Sequence, residues 1–136
     1  LTLVERQTRK SIYVLVKNKT QKEVLQAIRR AHRRVKGDFT QVFKSITADN
    51  GSEFLDGNGM QKAAKCNAVY YAHPFSSWER GSNENGNRIL RRFLPKGTDF
   101  STLKPRELKR IEDWVNNYPR KIFDYKTAND MYAAVA

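Results

Sequence analysis

The sequence predicts an α/β fold, a mixed sheet flanked by helices, from three observations. Two β-branched and aromatic runs, residues 1–4 and 11–16, stand on either side of a short polar segment, the pattern of an antiparallel hairpin. From residue 20 onward, helical periodicities alternate with short apolar runs, the pattern of strands joined through helices. The opening hairpin has no crossover helix, so a purely parallel doubly wound sheet fits less well.

Each element has a local reason. Thr20 is a helix-capping residue with Glu23 at capping-box spacing, and Val24, Leu25, Ile28, Ala31 and Val35 recur at helical intervals as far as Lys36-Gly37. The other face carries Lys22, Arg29, Arg30, Arg33 and Arg34, which is either a solvated face or one turned toward phosphates or a partner. Residues 42–48 read as a strand that delivers Asp49 to the Asn50-Gly51 turn. Residues 54–67, with Leu55, Met60, Ala63, Ala64 and Cys66, read as a short helix after a turn at Asp56-Gly57, and residues 68–71 as a strand. A polar loop from His73 then runs into a helix beginning near Ser82, a good capping residue. On that helix Gly86, Ile89, Leu90 and Phe93 share the packing side, and Glu84, Arg88 and Arg91 share the opposite one. Pro95-Lys96-Gly97 breaks the chain, Pro105 opens a helix carrying Leu108, Ile111, Trp114 and Val115, and Thr127 caps a final helix to Ala134.

At 136 residues the chain has the size of one domain. Lys and Arg number 26 against 14 Asp and Glu, a net charge of +12, and the pI is near 10.0, a balance that implies a polyanionic partner, most simply nucleic acid. No run of about 18 apolar residues exists to span a bilayer, and residues 1–4 are too short for a signal peptide, so no membrane role and an intracellular location are expected. Cys66 is the single cysteine, which excludes an internal disulfide and a cysteine-cluster zinc site.

The chemistry rests on two acids. A carboxylate at a strand's C-terminal end, Asp49, faces the crevice where open α/β sheets bind ligands. Glu84 sits in the first turn of a helix whose later turns bring Arg88 and Arg91 to the same side. The plain alternative for Glu84 is an i,i+4 pair with Arg88 on a surface helix. Two acids converging in a basic crevice would instead hold divalent cations, with guanidinium groups gripping phosphates. Glu53 and Glu79 are alternative ligands ranked below Glu84, and Trp78 either stacks on a base or plugs the core beneath its loop. Neither a Ser-His-Asp nor a Cys-His arrangement competes, and residues 81–86 lack the Lys-Ser/Thr ending of a phosphate-binding P-loop.

Taken in order, Thr47-Ala48-Asp49-Asn50-Gly51-Ser52-Glu53-Phe54, then His73-Pro74-Phe75-Ser76-Ser77-Trp78-Glu79-Arg80-Gly81-Ser82-Asn83-Glu84-Asn85, resembles the catalytic core of DDE transposases and retroviral integrases, especially insertion-sequence transposases of the IS-thirty branch. Asn116-Asn117-Tyr118-Pro119-Arg120-Lys121, with Thr127 beyond it, resembles that branch's closing segment. The likeness covers nearly the whole chain. It implies a single ribonuclease-H-like integrase core over residues 1–136, with 119–136 as its C-terminal extension.

The resemblance further implies an Asp-Asp-Glu triad binding Mg2+ or Mn2+, with Asp49 as the second Asp and Glu84 as the Glu, and cleavage of element ends followed by joining to target DNA. Trp78, Arg80, Asn83, Arg88, Arg91 and Arg92 are the expected DNA contacts. A homo-oligomer working in the bacterial cytoplasm at the nucleoid is expected on the same ground. The family's first Asp lies on a strand before the hairpin, whereas this sequence opens inside the second strand, and Asp38 falls between the wrong elements. The expectation is therefore a core without its first, central strand and with two of three ligands, inactive alone; the alternatives are a noncatalytic DNA-binding or regulatory remnant of such a core and a related metal-dependent nuclease.

Overall fold

The computed structural model describes residues 1–35, 44–72 and 81–135, without the side chains of 81–85 and 135. Along these the order is β1 (Thr2–Val4), β2 (Ser11–Tyr13), α1 (Gln21–Arg34), β3 (Ser45–Ala48), α2 (Gly57–Ala64), β4 (Ala68–Tyr71), α3 (Gly81–Leu90), α4 (Pro105–Asn116) and α5 (Ala128–Val135). Short 3-10 turns intervene at Ser52–Phe54, Phe100–Thr102 and Lys121–Phe123. This is the succession of strands and helices that the periodicities predict, and it gathers into two compact units.

One unit comprises Leu1 and Val16–Gly81. Helix α1 begins where Thr20 Oγ1 accepts the Glu23 N–H at 3.2 Å, satisfying one of the donors a helix start leaves open. It buries Val24, Ala27, Ile28 and Ala31, while Lys22, Arg29, Arg30, Arg33 and Arg34 are exposed as expected. Asp56 caps α2 by accepting the Gly59 N–H at 2.9 Å, and Lys65 ends it in the left-handed region at φ 52°. That cap sets the start of α2 at Gly57, so Leu55 falls outside the helix and is 59% exposed, against the expectation that it packs. Strands β3 and β4 pair in parallel from Ser45↔Ala68 to Ala48↔Tyr71, and Ala72 N–H extends the ladder to Ala48 O at 2.9 Å. Val24 and Ile28 of α1, Met60, Ala63 and Ala64 of α2, and Ala48 and Cys66 form the core.

The other unit comprises Thr2–Leu15 and Ser82–Ala136. Strands β1 and β2 pair antiparallel from Thr2↔Tyr13 to Val4↔Ser11. Their connection is organised by Glu5, whose carboxylate accepts from Thr8 N–H at 2.8 Å, Thr8 Oγ1 at 2.7 Å and Gln7 N–H at 3.1 Å. Arg9 closes the loop at φ 61°. The edge of β2 that faces away from β1 is covered by side chains of α4: Asn116 Oδ1 accepts Ser11 N–H at 2.8 Å, Asn116 Nδ2 donates to Ser11 O at 2.9 Å, and Glu112 accepts Tyr13 N–H at 2.9 Å. Pro105 opens α4 at its first turn, and Leu108 and Val115 meet Tyr13 and Leu94 in the core, with Ile89, Leu90, Leu103 and Ile111 around them. Thr127 and Asp130 exchange bonds at the start of α5, each side chain accepting the other's backbone N–H at 3.0 Å.

Among the described residues the strands thus form two two-stranded ladders, one antiparallel and one parallel, where the sequence led us to expect one mixed sheet. The amide of Asn116 and the carboxylate of Glu112 occupy backbone positions on β2 that a neighbouring strand would otherwise use.

Candidate functional site

The parallel pair carries Asp49 just past the end of β3. Its position is fixed on both sides, because Ala48 O accepts from Ala72 N–H and the Asn50 side-chain amide donates to Ala72 O at 2.8 Å. The carboxylate is folded back on its own turn, Oδ1 accepting Gly51 N–H at 2.9 Å. Asn50-Gly51 does not form the reversal expected of that dipeptide. Gly51 sits at φ −60° and ψ 145°, and its carbonyl accepts Phe54 N–H at 3.0 Å to open the 3-10 turn Ser52–Phe54.

That 3-10 turn brings a second acid to Asp49. A Cβ placed on Gly51 would stand 2.7 Å from Glu53 Oε2 and 3.0 Å from Asp49 Oδ1, so both carboxylates crowd the bare α-carbon of Gly51. Glu53, ranked below Glu84 from the sequence, is the acid that the described structure places beside Asp49. Glu53 lies two residues past Gly51, and the 3-10 turn folds it back toward Asp49. Gln21 Nε2 donates to Ser52 O at 3.3 Å, and the Tyr71 hydroxyl donates to Phe54 O, so α1 and β4 hold the turn from either side.

Helix α3 is described from Gly81, which places Ser82 inside the helix and not at its cap. Gly86 is buried, and a Cβ on it would meet Val4 Cγ2 at 3.3 Å; Ile89 and Leu90 join the core, as expected. Phe93 departs from the expectation at 38% exposed, because the helix ends at Leu90 and the following turn sends Leu94 inward in its place. Arg88, Arg91 and Arg92 are exposed, and Arg91 Nη1 donates to Leu94 O at 3.3 Å. Trp78, Glu79 and Arg80 lie outside the described residues, as do the side chains of Asn83 and Glu84. Asp38 and the start of the strand expected at 42–48 lie outside them too.

Two carboxylates with oxygen donors suit a hard divalent cation such as Mg2+ or Mn2+, which takes one or two protein carboxylates and keeps waters. Among the described residues no three His, Cys, Asp or Glu side chains gather as a ligand set, so the fit there rests on Asp49 and Glu53. No helix among the described residues is long and apolar enough to cross a membrane.

The chain is 41% identical over 91 residues to the transposase for insertion sequence element IS4351 of Bacteroides fragilis, covering 67% of this chain and 28% of that protein. It is 39% identical over 132 residues to the probable transposase for insertion-like sequence element IS1161 of Streptococcus salivarius, covering 97% and 36%. Over 136 residues it is 32% identical to transposase InsI for insertion sequence element IS30A of Escherichia coli K12, covering 96% and 33%. No family model matches the chain. These relatives place the chain among the insertion-sequence transposases. Within that class the chain is IS30-like, and it spans 28% to 36% of the length of these relatives.

Proposed function

We propose that the chain is the catalytic core of a transposase that cleaves DNA at element ends and joins the freed 3′-hydroxyl to target DNA, using Mg2+ or Mn2+. The observation that carries this reading is the fixed place of Asp49 at the C-terminal end of the parallel pair, with a second carboxylate, Glu53, beside it. Transposase relatives over nearly the whole chain support it.

In this reading Asp49 and Glu84 are the catalytic carboxylates of an Asp-Asp-Glu set in a ribonuclease-H-like core, formed by residues 1–136 as one domain with 119–136 as its extension. The first Asp of that set would lie upstream of the hairpin. A bound divalent cation would supply Lewis acidity at the scissile phosphate. Asp49 presents a hard oxygen donor held by its own turn, and Glu53 sets the charge beside it. Arg88, Arg91 and Arg92 grip the phosphates on either side of the cut, with Trp78, Arg80 and Asn83 completing the DNA contacts. Strand transfer on two DNA ends calls for a homo-oligomer, working at the nucleoid.

The test is DNA nicking and strand transfer by the product of the complete reading frame with Mg2+, comparing wild type with Asp49→Asn and Glu84→Gln. Each substitution should abolish both reactions while DNA binding persists. Activity that survived both would end the proposal.

A further inference from the structure

Phe93, Trp114 and Tyr118 form an unbroken run of rings on the surface of the second unit. Phe93 meets Trp114 edge-on, with centroids 4.7 Å apart and an interplanar angle of 69°, and Trp114 lies 5.0 Å from Tyr118 at 35°. The three are 38%, 39% and 39% exposed. Aromatic rings in contact are ordinarily turned into a core, and on α4 the inward places are already taken by Leu108 and Val115. The rings brace one another and leave part of each to solvent.

Exposed arginines flank this run, with exposed Glu107 a further turn toward the start of α4. Exposed Arg92 immediately precedes Phe93, and exposed Arg110 stands one helical turn before Trp114 on the same side. Asp113, the adjacent acid, is engaged by Lys109 at 3.0 Å. In a chain of net charge +12, a braced aromatic run between arginines has the chemistry of a stacking platform for single-stranded nucleic acid. We infer that Phe93, Trp114 and Tyr118, flanked by Arg92 and Arg110, dock unpaired bases of a DNA strand. This rests on the DNA reading above and adds to it a preference for unstacked DNA, because base faces in a duplex are closed to a side chain.

The experiment uses the 136-residue chain and reads Trp114 as the difference in emission between it and its Trp114→Phe variant. Emission is followed while a dye-labelled oligothymidylate, or a blunt duplex of equal length, is added, and dye anisotropy records binding independently. Oligothymidylate should quench Trp114, and the duplex should bind without quenching. Trp114→Ala should weaken oligothymidylate binding roughly tenfold, and Trp114→Phe, which preserves the packing, should restore most of it. The inference is overturned if oligothymidylate saturates with Trp114 emission unchanged, or if Trp114→Ala binds it as tightly as Trp114→Phe. Emission that shifts with protein concentration alone would identify the platform as a contact between copies and overturn it likewise. Duplex binding without a response of Trp114 would leave the transposase reading standing, whereas binding of neither DNA would count against both.

Discussion

Asp49 Oδ1 and Glu53 Oε2 both crowd Gly51, 3.0 and 2.7 Å from where a Cβ would stand. Gly51 has an ordinary negative φ, so its requirement is space and not backbone freedom. Gly51→Ala should therefore push both carboxylates apart with little effect on the fold. We expect Mn2+ affinity, read by paramagnetic relaxation of water, to fall roughly tenfold, the lower end for disturbed groups around a metal ligand. A melting temperature within a degree or two of wild type would show that the loss is local. Unchanged affinity would mean that Glu53 plays no part beside Asp49.

Asn116 is 99% buried and meets both backbone groups of Ser11, itself fully buried. Asn116→Ala leaves a buried N–H and a buried C=O without partners, each of which costs about 1–3 kcal/mol. We expect a loss of about 2–4 kcal/mol in urea unfolding followed by tryptophan emission. Glu112→Gln keeps an acceptor for Tyr13 N–H and should cost less than Asn116→Ala.

Burial would by itself raise the pKa of Glu5, but the bonds from Thr8 and Gln7 outweigh it and hold the carboxyl below its ordinary value of 4.5. Its contribution to stability is therefore fully present above the unfolded pKa and is lost as pH falls through the folded one. Wild type should lose stability between pH 5 and the acid limit more steeply than Glu5→Gln, and the gap between the two should close in acid. Parallel urea titrations at pH 7 and pH 3 check the sign. A gap that widened toward acid would contradict the hydrogen-bonded carboxylate.

Local chemistry made much of this fold readable. Thr20 with Glu23 and Thr127 with Asp130 mark helix starts through short-range bonds, and Pro105 marks one through its fixed φ, all specified by residue type alone. What the sequence hid depends on contacts distant along the chain. Nothing in the spacing of Ser11 and Asn116 tells that an α4 amide covers the edge of β2, since the two lie 105 residues apart. Phe93 was misplaced for a nearer reason: α3 ends at Leu90, so a helical wheel carried past that point assigns the wrong side. At the site, Asp49 was legible because a strand's end is a local signal. Its neighbour Glu53 was already readable as an alternative ligand, and it comes beside Asp49 through the 3-10 turn Ser52–Phe54.

Arg88, Arg91 and Arg92 lie exposed at the end of α3 and just beyond it, where they could meet a DNA backbone. If each neutralises one phosphate, replacing it with Gln should release one fewer counterion and reduce the slope of log K against log salt by about 1. Arg91 provides an internal contrast, because its Nη1 donates to Leu94 O at 3.3 Å. Arg91→Gln should also loosen the turn after α3, whereas Arg88→Gln should change the salt slope and leave stability within about 0.5 kcal/mol of wild type. Fluorescence anisotropy of a labelled duplex between 50 and 300 mM salt, a range of about six in concentration, resolves such slopes. Equal slopes for wild type and the three Gln variants would place the DNA backbone elsewhere, and the exposed arginine face of α1 would become the next surface to substitute.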